Sequence, residues 1–183
     1  MPERYLIHSP FFASTPEALQ AGWKQMEDLQ ATGKVRSIGV SNFSAKHLAT
    51  VLVTATIKPA TNQIEVHPYL QQTETIAFTK KSGIQVESFA PLTSLTRAKG
   101  GPVDAVVTKL AAKYQVSESA VLLKWVLQQD CVVITTSNNE SRLKDYLDRA
   151  TGWELESQDV EEIAREGSKH HFRGFFAEEY EGA

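Results

Sequence analysis

Residues 5–11 read YLIHSPF: three apolar residues, Tyr5, Leu6 and Ile7, run straight into the titratable His8, and a Ser9-Pro10 turn follows at once. A short apolar run closed by a turn signal reads as a strand. Four more such runs follow, at 35–41 (VRSIGVS), 61–66 (TNQIEV), 84–89 (IQVESF) and 132–135 (VVIT). Between them lie longer amphipathic stretches. Thr15 before Pro16 and Glu17 is a helix start, Leu19, Trp23, Met26 and Leu29 recur at helical spacing, and Gly33 closes the helix. Ser44, Thr73 and Ser117 are further caps. Val103, Val106, Val107 and Leu110 make one apolar stripe, and 139–147 and 157–165 read as two later helices. Strands alternating with helices predict a parallel sheet.

The composition bounds the function. With 183 residues, 42% hydrophobic and 22% charged, the chain is expected to form a single domain, 1–183, ending in an irregular tail at 168–183. A net charge of −3, without clusters of Lys and Arg, argues against nucleic acid or an anionic membrane as partner. No apolar run reaches the ~20 residues of a membrane helix. Cys131 is the only cysteine, so no internal disulfide can form, and a cytoplasmic location is expected. Cys131 itself reads as a small core residue. The neighbouring His170 and His171 have no other ligand type at metal spacing, and no metal is expected.

In parallel strand-helix folds, ligands lie at the carboxyl ends of the strands. All five strands here end in polar groups: His8 and Ser9; Ser41 and Asn42; Asn62, Gln63, Glu65 and His67; Ser88 beside Phe89; and Thr135 to Asn138. Each alone is an ordinary turn or cap residue. Together they form a surface able to grip a carboxamide and a pyrophosphate. The stretch 135–142, TTSNNESR, runs from a strand through hydroxyls and amides into a helix start, with Arg142 available for a bidentate anion contact. There is no GxGxxG fingerprint, which disfavours a Rossmann-type site.

Five segments, in this order and at roughly this spacing, resemble the aldo-keto reductase superfamily. YLIHSPF resembles its fourth barrel strand, GVSNF its fifth, NQIEVHPYLQQ its sixth, and FAPLTS with VVITTSNNESRL its seventh and eighth. Within the family, HSPF and the VITTS run are most similar to fungal reductases of conjugated diketones and alpha-keto amides. The resemblance implies an α/β fold, a partial (β/α)8 barrel holding strands 4 to 8, with the first three strand-helix units missing from this sequence. It implies NADPH-dependent reduction of aldehydes or ketones, dicarbonyls among them, by hydride transfer. His8 would orient the substrate carbonyl and help stabilise its developing oxyanion, and Ser9, where many members have a Trp, would border a more open or more polar pocket. Ser41, Asn42 and Gln63 would hold the nicotinamide carboxamide. Phe89, in place of a common Tyr, would stack on its ring. Leu92 and Ser94 would lie along the pyrophosphate; Ser137, Asn138 and Arg142 would take the 2′-phosphate, and Asp145 the adenine amino group. Thr136 replaces a Lys common in other branches, so NADH is a second expected cofactor.

In the family the general acid is a Tyr tuned by a Lys and an Asp, and the resemblance places all three on the absent strands. Losing a positioned general acid costs ~10²–10⁴ in rate. Two readings follow: part of a working reductase, or an inactive half-barrel that binds nucleotide or a protein partner. In either case the strands holding His8 and Ile134 would be bare edges, open to self-association.

Overall fold

The computed structural model describes residues 3–181. Its five strands, β1 (Arg4–Ile7), β2 (Ser37–Ser41), β3 (Thr61–Glu65), β4 (Gln85–Phe89) and β5 (Val132–Ile134), lie within two residues of the expected ends. They form one sheet in the order β1-β2-β3-β4-β5. β1 pairs with β2 and β2 with β3 in parallel, with Tyr5 opposite Ile38 and Val40 opposite Asn62. A doubly wound sheet reverses its strand order at a switch point; this one follows chain order throughout, as a stretch of (β/α)8 barrel does. β1 and β5 are its outermost strands.

The helices among the described residues are α1 (Pro16–Ala31), α2 (Ala45–Leu52), α3 (Thr73–Lys81), α4 (Thr93–Thr96), α5 (Val103–Tyr114), α6 (Glu118–Leu127), α7 (Glu140–Asp148), α8 (Ser157–Gly167) and α9 (Ala177–Glu181). Their starts are chemical. Thr15 Oγ1 accepts the Ala18 amide at 3.2 Å, and Ser44 and His47 cap α2 reciprocally. Gly33, at φ 74°, ends α1 in the left-handed region where a Cβ is costly. One expected cap moves: Gln72, at φ 46°, precedes α3, and Thr73 is its first residue. Helices α4 and α9 were not expected, because four or five residues are too few to show a helical period. The tail expected to be irregular thus carries α9, and its last two residues lie outside the described ones.

The chain packs as two compact units, residues up to 64 with 72–87, and 65–71 with 88 onward. β3 and β4 each run out of the first into the second. The first unit buries Leu19, Trp23 and Met26 of α1 with Ile38, Val40, Phe43, Leu48 and Val51. Trp23 Nε1 donates to the Ile57 carbonyl at 2.9 Å. The second unit packs α5 against α6 and α8, and Val107, Leu110, Val121, Trp125 and Ile163 on these helices are buried. Cys131 is buried, as expected of a core residue. No described helix is long and apolar enough to cross a membrane.

Glu27 is the buried carboxylate on which the first unit's loop after α2 closes. It accepts the amides of Thr56 and Ile57 at 2.7 and 2.8 Å. Burial pushes its pKa up, but the hydrogen bonds from Ile57 and Thr56, with Lys24 nearby, outweigh that and hold it below the ordinary carboxylate value of 4.5. A carboxylate stabilised this way contributes its full share above pH 4.5 and loses it as pH falls through the lower folded value. Glu27→Ala should therefore cost ~1–3 kcal/mol at pH 7, because two amides lose their acceptor. The gap between variant and parent should narrow below pH 4 in urea titrations, and a gap independent of pH would contradict the assignment.

Candidate functional site

In the first unit, β2 and β3 bring three of the expected residues together. Ser41 Oγ donates to the Gln63 carbonyl at 2.7 Å, and the Asn42 amide donates to the same oxygen at 2.9 Å. Asn42 stands in the left-handed region at φ 59°, a conformation Asn tolerates better than most side chains. That turn lets its Nδ2 reach the His8 carbonyl at 2.9 Å and Ser41 Oγ at 3.2 Å. The end of β1 is thereby tied to the end of β2. The His8 side chain is exposed, and Ser9 is half-buried and makes no cap bond to the 3-10 turn at Pro10–Phe12.

Gln63 leads to two residues that sequence reasoning missed. Its Nε2 donates to Glu87 Oε2 at 2.8 Å, and Glu87 Oε1 is paired with Arg4. Glu87 is 4% exposed. The available signal was a charged residue set among apolar ones in each of two strands, Arg4 in β1 and Glu87 in β4. Buried charges are paired or they are unstable.

In the second unit, Phe89, Leu92, Ser137 and Arg142 line one opening of about 420 Å³, together with Tyr146 and Phe175. Ser94 lines another opening with Leu92, Arg142 and Ser117. Its hydroxyl is buried, the residue 1% exposed, and has no hydrogen-bond partner among the described residues. A third opening is formed by Thr136, Ser137, Asn138, Asn139 and Arg142, which offer hydroxyl, amide and guanidinium groups and no carboxylate. Arg142 borders all three. It sits in the first turn of α7, where the cap Asn139 accepts its amide through Oδ1 at 3.2 Å. Asp145 lines none of these openings; its Oδ2 accepts the Ser117 hydroxyl at 2.6 Å.

The tail supplies what the sequence did not reveal. Phe175 lies edge-on to Phe89, ring centres 5.2 Å apart, and Arg97 stacks over Phe175 at 4.4 Å. Glu65, 1% exposed, holds this tail by accepting the Gly174 amide at 3.0 and 3.1 Å and the Phe175 amide at 3.2 Å. A Cβ on Gly174 would come within 2.9 Å of Glu65 Oε1, so the close approach needs glycine. His67, fully buried, puts Nε2 at 3.2 Å from Glu65. A carboxylate only accepts, so that nitrogen carries the proton. His170 and His171 are exposed, and among the described residues no three His, Cys, Asp or Glu side chains form a group able to hold a metal ion.

A tyrosine, a lysine and an aspartate do meet in the second unit, away from these openings. Tyr114 donates its hydroxyl proton to Asp159 and accepts the Glu156 amide at 2.9 Å, while Lys113 bridges Asp159 at 2.8 Å and Glu156 at 3.0 Å. Both the Tyr114 hydroxyl and the Lys113 ammonium are engaged in tying α5 to the start of α8. It is a structural tie.

The Aldo/keto reductase family model matches residues 3–166. The chain belongs to the aldo/keto reductase family. This aldo/keto reductase chain is 39% identical over 174 residues to the NAD/NADP-dependent indole-3-acetaldehyde reductase of Schizosaccharomyces pombe, covering 93% of the chain and 61% of that protein. It is 36% identical to the NADPH-dependent alpha-keto amide reductase of Saccharomyces cerevisiae, covering 91% and 55% respectively. Among solved structures, the Bombyx mori aldo-keto reductase in complex with NADP superposes with a TM-score of 0.82 at 30% identity, over 95% of this chain and 60% of that one. The chain therefore spans 55 to 61% of the length of these curated relatives.

Proposed function

We propose that this chain binds NADPH, with NADH as a weaker alternative, and serves the NADPH-dependent reduction of aldehydes or ketones in the cytoplasm. The observation that carries the reading is the opening at Thr136 to Asn139, where Arg142 joins hydroxyl and amide groups with no carboxylate. That donor set fits a phosphate dianion. The partnerless Ser94 hydroxyl in a neighbouring opening fits the same dinucleotide, because a buried hydroxyl without a partner is costly until a ligand satisfies it. In the first unit, Ser41, Asn42 and Gln63 take the carboxamide. In the second, Leu92 and Ser94 follow the pyrophosphate, Ser137, Asn138 and Arg142 hold the 2′-phosphate, and the Phe89 ring stacks on the nicotinamide. Asp145, engaged with Ser117, meets the adenine amino group only if that bond is exchanged.

Bound NADPH supplies a hydride. What this chain contributes at the carbonyl is orientation. His8, exposed at the end of β1, orients the oxygen, and Ser9 borders the substrate. The relatives' names point to two substrate types, indole-3-acetaldehyde and alpha-keto amides, and we propose small carbonyl compounds of that kind for this chain. The tyrosine, lysine and aspartate cluster at Asp159 does not supply the proton, because Tyr114 is already committed.

Titration of the purified 183-residue chain with NADPH tests the reading directly. Saturable binding is expected, and at about 100 times Kd the ligand adds about 2.7 kcal/mol of stability, read as a rise in Tm. No shift with NADPH or NADH overturns it. In the same preparation ketone-dependent NADPH oxidation should be undetectable. Measurable turnover would show that a residue of this chain donates the proton after all.

A further inference from the structure

We propose that Glu87 is a positioning residue that fixes which end of the Gln63 side chain meets a bound carboxamide. The inference rests on the dinucleotide reading above and goes beyond it: the site reads the ligand's amide N–H, and so distinguishes a carboxamide from a group of the same shape that can only accept.

Gln63 presents its Nε2 to Glu87 Oε2 at 2.8 Å. Glu87 is buried and ion-paired with Arg4 through its other oxygen, so it is a carboxylate and can only accept. Turning the amide over would set Oε1 of Gln63 against a carboxylate oxygen in a poorly solvated place, two acceptors face to face. That orientation is excluded. Glu87 therefore leaves Oε1 of Gln63 as the outward group, and among the described residues nothing donates to it, although Gln63 is only half-buried. The backbone around it is equally committed. Ser41 spends its hydroxyl proton on the Gln63 carbonyl, and the Asn42 amide bonds the same oxygen. Gln63 thus turns its acceptor oxygen outward, with one N–H of its Nε2 held by Glu87. A nicotinamide carboxamide satisfies that oxygen with one N–H.

The test compares two dinucleotides that differ only at that group: NADP⁺ and its 3-acetylpyridine analogue, whose methyl ketone has no N–H. Calorimetric titration of the full chain should give a Kd about tenfold lower for NADP⁺, the worth of one hydrogen bond whose loss leaves an acceptor unpaired. In Glu87→Gln the new amide can accept or donate, Gln63 can turn, and the ratio should fall below about threefold, mainly because the analogue binds better. Arg4→Met combined with Glu87→Met leaves no charge unpaired and frees Gln63 in the same way; it should give the same collapse and guards against a single variant that fails to fold. A ratio unchanged in both variants overturns the role of Glu87. A parent chain that binds NADP⁺ but shows no preference overturns it too. Failure of the parent chain to bind either dinucleotide overturns instead the cofactor reading on which the inference rests, so the two failures are distinguishable.

Discussion

Replacing Arg142 by Ala should raise the Kd for NADPH by roughly 10- to 100-fold and leave that for NADH within about twofold. The size follows from one charge-assisted, bidentate contact to a phosphate, worth about 1.5–3 kcal/mol. The selectivity follows from placement. Arg142 stands in the first turn of α7 beside Ser137 and Asn138, its backbone amide already held by Asn139, and no carboxylate is paired with its guanidinium among the described residues. A cation that is not engaged within the protein is available to a ligand, and only NADPH carries the additional 2′-phosphate. Fluorescence titrations with both nucleotides check this. Equal weakening of both would place Arg142 on the shared pyrophosphate and move the 2′-phosphate elsewhere. Arg142→Lys should recover part of the affinity, since a lysine restores the charge without the planar fork.

Removing the Glu65 carboxylate should have the largest structural effect outside the apolar core. Glu65→Ala leaves the half-buried amides of Gly174 and Phe175 and the buried Nε2 proton of His67 without their acceptor. Breaking a buried charge-centred cluster from one side costs about 3–5 kcal/mol. Urea unfolding should register that loss. Hydrogen exchange should also show Gly174 and Phe175 among the first amides to lose protection, with α5, α6 and α8 retained. Because Phe175 packs edge-on to Phe89, release of the tail should also weaken NADPH binding. Unchanged exchange at Gly174 in the variant would contradict the latch, and Glu65→Gln, which keeps one acceptor oxygen, should fall between the two.

Much of the scaffold is legible locally because its signals are local. Thr15-Pro16, Ser44 and Ser117 start helices by chemistry confined to one turn, and they do so here. The apolar runs at Tyr5, Val35, Ile84 and Val132 announce strands because the covered faces of a parallel sheet favour short apolar, β-branched runs bounded by turns. Short elements carry no such period, and α4 and α9 were invisible for that reason. The order of polar strand ends also pointed correctly to Ser41, Asn42 and Gln63 as neighbours, since successive parallel strands place successive carboxyl ends side by side.

What the sequence by itself determined, then, is the alternation of strands and helices, the caps, and the family resemblance carried by YLIHSPF, GVSNF and VVITTSNNESRL. Tertiary structure alone decided the partners of the buried charges. Glu87 meets Arg4 across more than eighty residues of chain, Glu65 meets Gly174 from β3 to the tail, and Asp159 takes the hydroxyl of Tyr114 rather than leaving it for catalysis. The physical reason is that a charge in a sequence shows neither its burial nor its counter-ion. Both arise only when distant segments pack, and they set which atoms remain for a ligand.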